Sequence, residues 1–236
     1  MGATERTGRN EGVFRYSVAH FLVALVVLLV AVPLVDEFIV GELIESVLIT
    51  LVLLSAVVAV GGRLRSLVTG LLLVAPAVVS KWVDHVWPHR VPPEVTQAAA
   101  ILFLAFVAFR LLHFILTAPR VNSEVLCAAI AVYLILGLTW GFAYSLAANL
   151  NPRAFAFTVA ADPDPAMVRF QSLYFSFVTL TTVGYGDIVP VSKVARLLAV
   201  AESTAGMLYT TILIARLVAL YSGHRPAAGG SGAGAD

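Results

Sequence analysis

Charge is scarce in this chain. Only 12% of its 236 residues are Asp, Glu, Lys or Arg, against roughly 25% in an ordinary soluble domain, and the mean hydropathy is +0.93. So few charges cannot cover a water-facing surface, which excludes a large soluble domain and puts the chain in a lipid bilayer. Lys plus Arg (15) and Asp plus Glu (14) leave a net charge of +1, with no basic excess for phosphate, so nucleic acid is excluded as a partner. Cysteine is nearly absent: Cys127 stands alone, which excludes an intrachain disulfide and a thiolate-rich metal or redox centre. His85 and His89 have a ligand-like i, i+4 spacing, but Pro88 interrupts it and no third ligand is near in sequence, so the pair makes no metal site. Paired carboxylates, a nucleophile beside a base and a metal triad are also missing, so nothing supports an enzyme.

What the chain has in abundance is 60% hydrophobic residues. They gather in long runs at 17–35, 40–60, 64–82, 95–116, 125–147 and 194–220. At about 20 apolar residues per crossing, these predict an all-α membrane protein with six transmembrane helices. Between the fifth and sixth lies a shorter apolar stretch, 167–180, bounded by Asp162-Pro163-Asp164-Pro165 before it and Gly184-Tyr185-Gly186 after it. It is too short to cross as a helix and is expected to re-enter. Irregular backbone at membrane depth is tolerated only where it lines water or is buried in protein, so this segment points to a pore or a binding site, with a plain loop as the alternative.

Arginines set the orientation. Arg6, Arg9 and Arg15 precede the first span, Arg63 and Arg65 follow the second, Arg110 and Arg120 flank the turn after the fourth, and Arg216 and Arg225 close the sixth. All fall on one side, predicting both termini in the cytoplasm and the protein in a plasma or inner membrane. The opposite loops carry Asp36, Glu37, Glu42 and Glu45, although Arg153, Arg169, Lys193 and Arg196 weaken the bias around the short segment. A cleaved signal peptide ending near Pro33 is the alternative for the first span, but removal would break the even alternation of charge. The tail 223–236, rich in Gly, Ala and Ser, has the composition of a flexible linker.

The chemistry concentrates in Thr181-Thr182-Val183-Gly184-Tyr185-Gly186-Asp187. Consecutive carbonyls can all point to one axis only if alternate residues take left-handed dihedrals, which Gly184 and Gly186 adopt without a side-chain clash. Such carbonyls, from four copies of the strand, could replace the water shell of a potassium ion. Val183 and Tyr185 would then point away and hold the strand from behind, and Thr182 would add a hydroxyl at its inner end. Over about 125–221 the sequence resembles the potassium-channel pore family, whose Thr-Val-Gly-Tyr-Gly signature stands unaltered at 182–186.

The resemblance implies a homotetramer conducting potassium through carbonyls of Thr182, Val183, Gly184 and Tyr185, supported by Thr181, Gly186 and Asp187. The permeant K+ is the only ion implied, and no cofactor is. It places the pore domain at 120–222, after a cytoplasmic N-terminus at 1–16 and a four-helix accessory domain at 17–119. The pore subunit of a potassium transporter, or a less selective cation channel, are the alternatives. Asp164 and Pro165 would cap the re-entrant helix, whose C-terminal carbonyls near Leu180 would face a cation. Tyr174 and Phe175 match the family's packing aromatics. Val178 stands where some members place a glutamate that pairs with the aspartate after the filter, which predicts altered behaviour of Asp187. Gly206 resembles the family's inner-helix hinge, and Gly137 with Gly141 predicts close helix packing.

Two charged residues stand apart. The row Ile101, Leu104, Val107, Arg110, His113, Leu116 holds one arginine, whereas steep voltage sensing draws on about 3 to 4 charges per subunit, so little intrinsic voltage dependence is expected. Glu202 lies inside an apolar span, where an acid is a functional candidate. The resemblance places Ser203, Met207, Thr210 and Ile214 on a central cavity. Helical geometry turns Glu202 about 100° away from Ser203, toward the re-entrant helix of its own or a neighbouring chain, with Ser176, Thr179 and Thr181 as the nearest polar groups. Burial there without a cation would keep it protonated, and it is expected to couple the inner helix to the filter, with a buried structural hydrogen bond as the alternative.

Overall fold

The computed structural model describes residues 4–35, 41–60, 64–87, 91–119, 121–158, 167 and 169–222. The apolar runs become helices α1 (Thr4–Val35), α2 (Gly41–Val60), α3 (Leu64–Val86), α4 (Pro93–Thr117) and α5 (Ser123–Leu150). After them come the short helix α6 (Arg169–Leu180) and the long helix α7 (Lys193–Ser222). Three are long and apolar enough to cross a membrane, Pro93–Thr117, Ser123–Leu150 and Lys193–Ala219. The apolar stretches of α1 to α3 are shorter, at Val18–Leu34, Ser46–Ala59 and Val68–Val83. The protein is therefore an α-helical membrane protein.

The helix ends follow local chemistry. Asn122 caps α5, its side chain accepting from the Val125 amide at 3.0 Å, which satisfies one of the orphan donors of the first turn. Proline opens α4 at Pro93, where a missing amide proton costs nothing. The predicted cap of the re-entrant helix, Asp164 and Pro165, lies outside the described residues, as do His89 and the tail.

A feature absent from the helical pattern is a small antiparallel pair, β1 (Phe155–Phe157) with β2 (Ile188–Pro190), in which Ala156 faces Val189. It joins the chain leaving α5 to the chain leaving the 181–187 segment. Around it Tyr144, Phe155 and Phe175 meet edge to face, with ring centroids 4.8 Å apart for Tyr144 and Phe175 and 5.5 Å for Phe155 and Phe175. This cluster, with Ile188 and Ala195, packs one end of the α5–α6–α7 unit. A larger core runs through α1 to α5 and is built on Phe21, Leu25, Phe103, Leu104, Leu111 and Ile135. The two cores fix α6 against α5 while its C-terminal end emerges into the 181–187 segment.

Candidate functional site

The segment after α6 is held from both ends. At its start, the amide of Thr181 donates to the Phe177 carbonyl and that of Thr182 to the Thr179 carbonyl, both at 3.0 Å. The amides of Val183 and Gly184 both reach the Val178 carbonyl, at 3.0 and 3.3 Å. The orphan carbonyls of the helix end are thus used to start the strand. At the far end, Thr158 donates its hydroxyl to the Gly186 carbonyl at 2.7 Å and its amide to the Asp187 carbonyl at 2.8 Å.

Between these anchors the backbone alternates. Positive φ occurs at Thr182 (60°), Gly184 (58°) and Gly186 (79°), with the residues between on the ordinary side. This is the alternation expected of Gly184 and Gly186, extended by one position to a threonine. A non-glycine residue in this region costs about 1–2 kcal/mol, and the hydrogen bonds on either side of Thr182 hold it there. Within the chain nothing lies within 4 Å of where a Cβ on Gly184 or Gly186 would sit, so it is the backbone conformation that calls for glycine there.

Asp187 finds a partner that the sequence did not announce. Tyr174 donates its hydroxyl to Asp187 Oδ2 at 2.7 Å, and the Ile188 amide donates to Oδ1 at 3.0 Å. The tyrosine bond is the main influence holding the Asp187 carboxyl below the usual carboxylate range, partly opposed by desolvation. Tyr174, four residues before Val178 on the same helix, is thus the side chain of α6 that meets this carboxylate.

Glu202 is fully buried. It faces α6, as expected, and meets Ser176 of the same chain; it does not bond Thr179 or Thr181, whose hydroxyl goes to the Phe177 carbonyl at 2.6 Å. Its second partner, Tyr144 on α5, bonds Glu202 Oε2. Gly206, one turn further, approaches α6 so closely that an added Cβ would sit 2.6 Å from the Leu180 carbonyl oxygen. From α5, a Cβ on Gly137 would meet the Phe177 ring at 2.5 Å. Gly137 and Gly141 do serve close packing, and their neighbours are on α6.

At the opposite end of α7, Arg216 donates Nε to the Ile115 carbonyl at 3.0 Å and an Nη to the Ala118 carbonyl at 2.9 Å. It caps the C-terminus of α4, where a cation meets the negative end of the helix dipole. Arg110 is half-buried, with its Nε unpartnered among the described residues. Tyr144, Thr158 and Arg216 are the residues that sequence reasoning missed. The available signal was weak: a phenol inside an apolar run, and an arginine before the end of the last span.

Comparison with known proteins agrees with this geometry. A family model described as an ion channel matches residues 124–222, the stretch from α5 to the end of α7. A voltage-gated potassium channel of Aeropyrum pernix is 38% identical over 64 residues, covering 26% of this chain and 22% of its own length. Two-pore potassium channel 1 of Arabidopsis thaliana is 53% identical over 46 residues, 20% of this chain and 13% of its own. Protein LctB of Bacillus caldotenax is 31% identical over 102 residues, 42% of this chain and 74% of its own. The chain belongs to the potassium-channel pore family. This family member spans less than a quarter of the length of the archaeal and plant channels it matches. No solved structure matches it.

Proposed function

We propose that the protein is a homotetrameric potassium-selective channel, each chain contributing six transmembrane helices and one filter strand, with both termini in the cytoplasm. The observation that carries this reading is the left-handed alternation at Thr182, Gly184 and Gly186, which turns successive carbonyls of Thr182, Val183, Gly184 and Tyr185 to one side as ligands for a dehydrated K+. One chain supplies one such strand, and closing a ring of carbonyls takes four.

Exposure favours assembly through this face. Tyr185 is 71% exposed in the single chain and Leu197 69%, and Val194, Val200 and Met207 on α7 are also uncovered. Some of this surface is suited to a neighbouring copy, and some to the bilayer. Ser203, Met207, Thr210 and Ile214 form the face expected to line the central cavity. Helices α1 to α4 form the accessory domain, and its single arginine on the α4 row, Arg110, favours little intrinsic voltage sensing.

Bi-ionic single-channel recording on the reconstituted protein tests the reading. Potassium is expected to permeate far better than sodium, with internal barium block altered in Thr182→Ala. Equal sodium and potassium permeability would return the protein to the less selective cation channels.

A further inference from the structure

The buried group that ion conduction leaves unexplained is Glu202, and counting hydrogens around it fixes its state. Tyr144 has one hydroxyl hydrogen, and its bond is to Glu202 Oε2. Ser176 also has one, but its Oγ lies at hydrogen-bond distance from two oxygens, the Gly137 carbonyl at 2.7 Å and Glu202 Oε1 at 2.5 Å. A serine hydroxyl donates once. With an ionised Glu202, one of these two contacts is a pair of acceptors facing each other without a hydrogen in a dry site, which is costly. With a neutral carboxylic acid every contact closes: Oε1–H donates to Ser176 Oγ, Ser176 donates to the Gly137 carbonyl, and Tyr144 donates to Oε2.

The surroundings supply no charge that would alter this count. From α5 the titratable groups facing Glu202 are Tyr144 and Tyr133. On α6, Tyr174 is engaged with Asp187, and Ser176 is the polar contact. On α7, Arg196 is bonded to the Pro190 carbonyl and Arg216 to the end of α4. Among the described residues no cation is paired with Glu202.

We propose that Glu202 is a proton-binding site, a neutral acid that ties α7 to α6 and α5, and that its deprotonation changes open probability without changing ion selection. The inference rests on the channel reading. Its path to the ion is short. Ser176 lies one turn before Leu180, where α6 gives way to the strand, and the intervening Val178 carbonyl receives the amides of Val183 and Gly184. Ionisation would leave Ser176 with a carboxylate and a carbonyl to satisfy with one hydrogen, loosening α6 just behind those two bonds. Gly206, pressed on the Leu180 carbonyl, carries the same disturbance along α7.

Infrared spectroscopy and single-channel recording on the reconstituted full chain test the proposal together. An ordinary glutamate, with a pKa of about 4.3, is ionised at neutral pH. The wild type is expected to show the carbonyl stretch of a neutral carboxylic acid at neutral pH, and Glu202→Gln to lose it. Ser176→Ala, which removes the acceptor of that proton, is expected to shift the band, and serves if Glu202→Gln fails to assemble. Raising the pH toward about 10, well beyond the ordinary glutamate value, should remove the band and shift open probability in the wild type. In Glu202→Gln, which still donates to Ser176 and accepts from Tyr144 but has no proton to lose at this site, open probability should hold at its neutral-pH value. The potassium-to-sodium permeability ratio should be unchanged throughout. A neutral-pH spectrum without the acid band, or a wild-type open probability as flat as that of Glu202→Gln, overturns the proposal. An intact band in a protein that passes no potassium would instead overturn the channel reading and leave the proton assignment standing.

Discussion

Two glycines in the pore region are indispensable for opposite reasons, and substitutions can separate them. Gly184 has left-handed φ and no neighbour of its own chain within 4 Å of where a Cβ would go, so Gly184→Ala is expected to fold and assemble while losing potassium flux. Gly206 has a Leu180 carbonyl 2.6 Å from that position, so Gly206→Ala overpacks the α6–α7 contact, at about 1–3 kcal/mol. Thermal melts of the assembled protein should show a large drop for Gly206→Ala and little for Gly184→Ala. Asp187 gives a third prediction, with its sign fixed by Tyr174. A carboxyl held below its usual range contributes what it does at higher pH and loses it as pH falls through its lowered value. External acid should therefore reduce conductance at lower pH in the wild type than in Tyr174→Phe, as read from single-channel amplitudes. Gly184 and Gly186 were legible in the sequence because only glycine takes that backbone cheaply. Thr182 was not legible as a left-handed residue, since its φ is imposed by bonds on both sides, and Tyr144 was not because a side-chain partner across two helices depends on how they cross.

Among the elements, α6 is held closely by two long helices: Gly137 of α5 admits the Phe177 ring, and Gly206 of α7 admits the Leu180 carbonyl. The helices themselves were readable from apolar run lengths, within a few residues at most ends, but the β1–β2 pair was not. Three-residue strands are too short for an alternation pattern to show, and their pairing is set by where α5 and the 181–187 segment happen to end. That pair places Thr158 on the carbonyls of Gly186 and Asp187. Thr158→Val, which keeps the shape and the backbone amide but removes the hydroxyl, is expected to leave assembly intact and hasten loss of conduction during sustained opening, as measured in macroscopic current decay. Helix α4 is tied to α7 by Arg216 and carries Arg110 as the one arginine of its row. Arg110→Gln should therefore leave the conductance–voltage relation nearly unmoved, and a shift as large as in a voltage-gated channel would show that α4 senses the field.

At the scale of the molecule, the strand is already anchored by its own chain. The bonds from Thr158, the Tyr174 hydroxyl, the Glu202 chain and both glycine contacts are intrachain. Among the apolar side chains that a single chain leaves uncovered are those along α7 and those of Val183 and Tyr185. Folding of the chain is thus expected to be separable from the integrity of the strand, a chain with a ruined strand remaining able to join an assembly. If four chains close one ring as proposed, co-expression of Gly184→Ala with the wild type is expected to suppress current far more than in proportion to the mutant share, because one defective quarter would spoil the whole ring. In the proposed ring, a damaged chain would poison the intact copies that it joins.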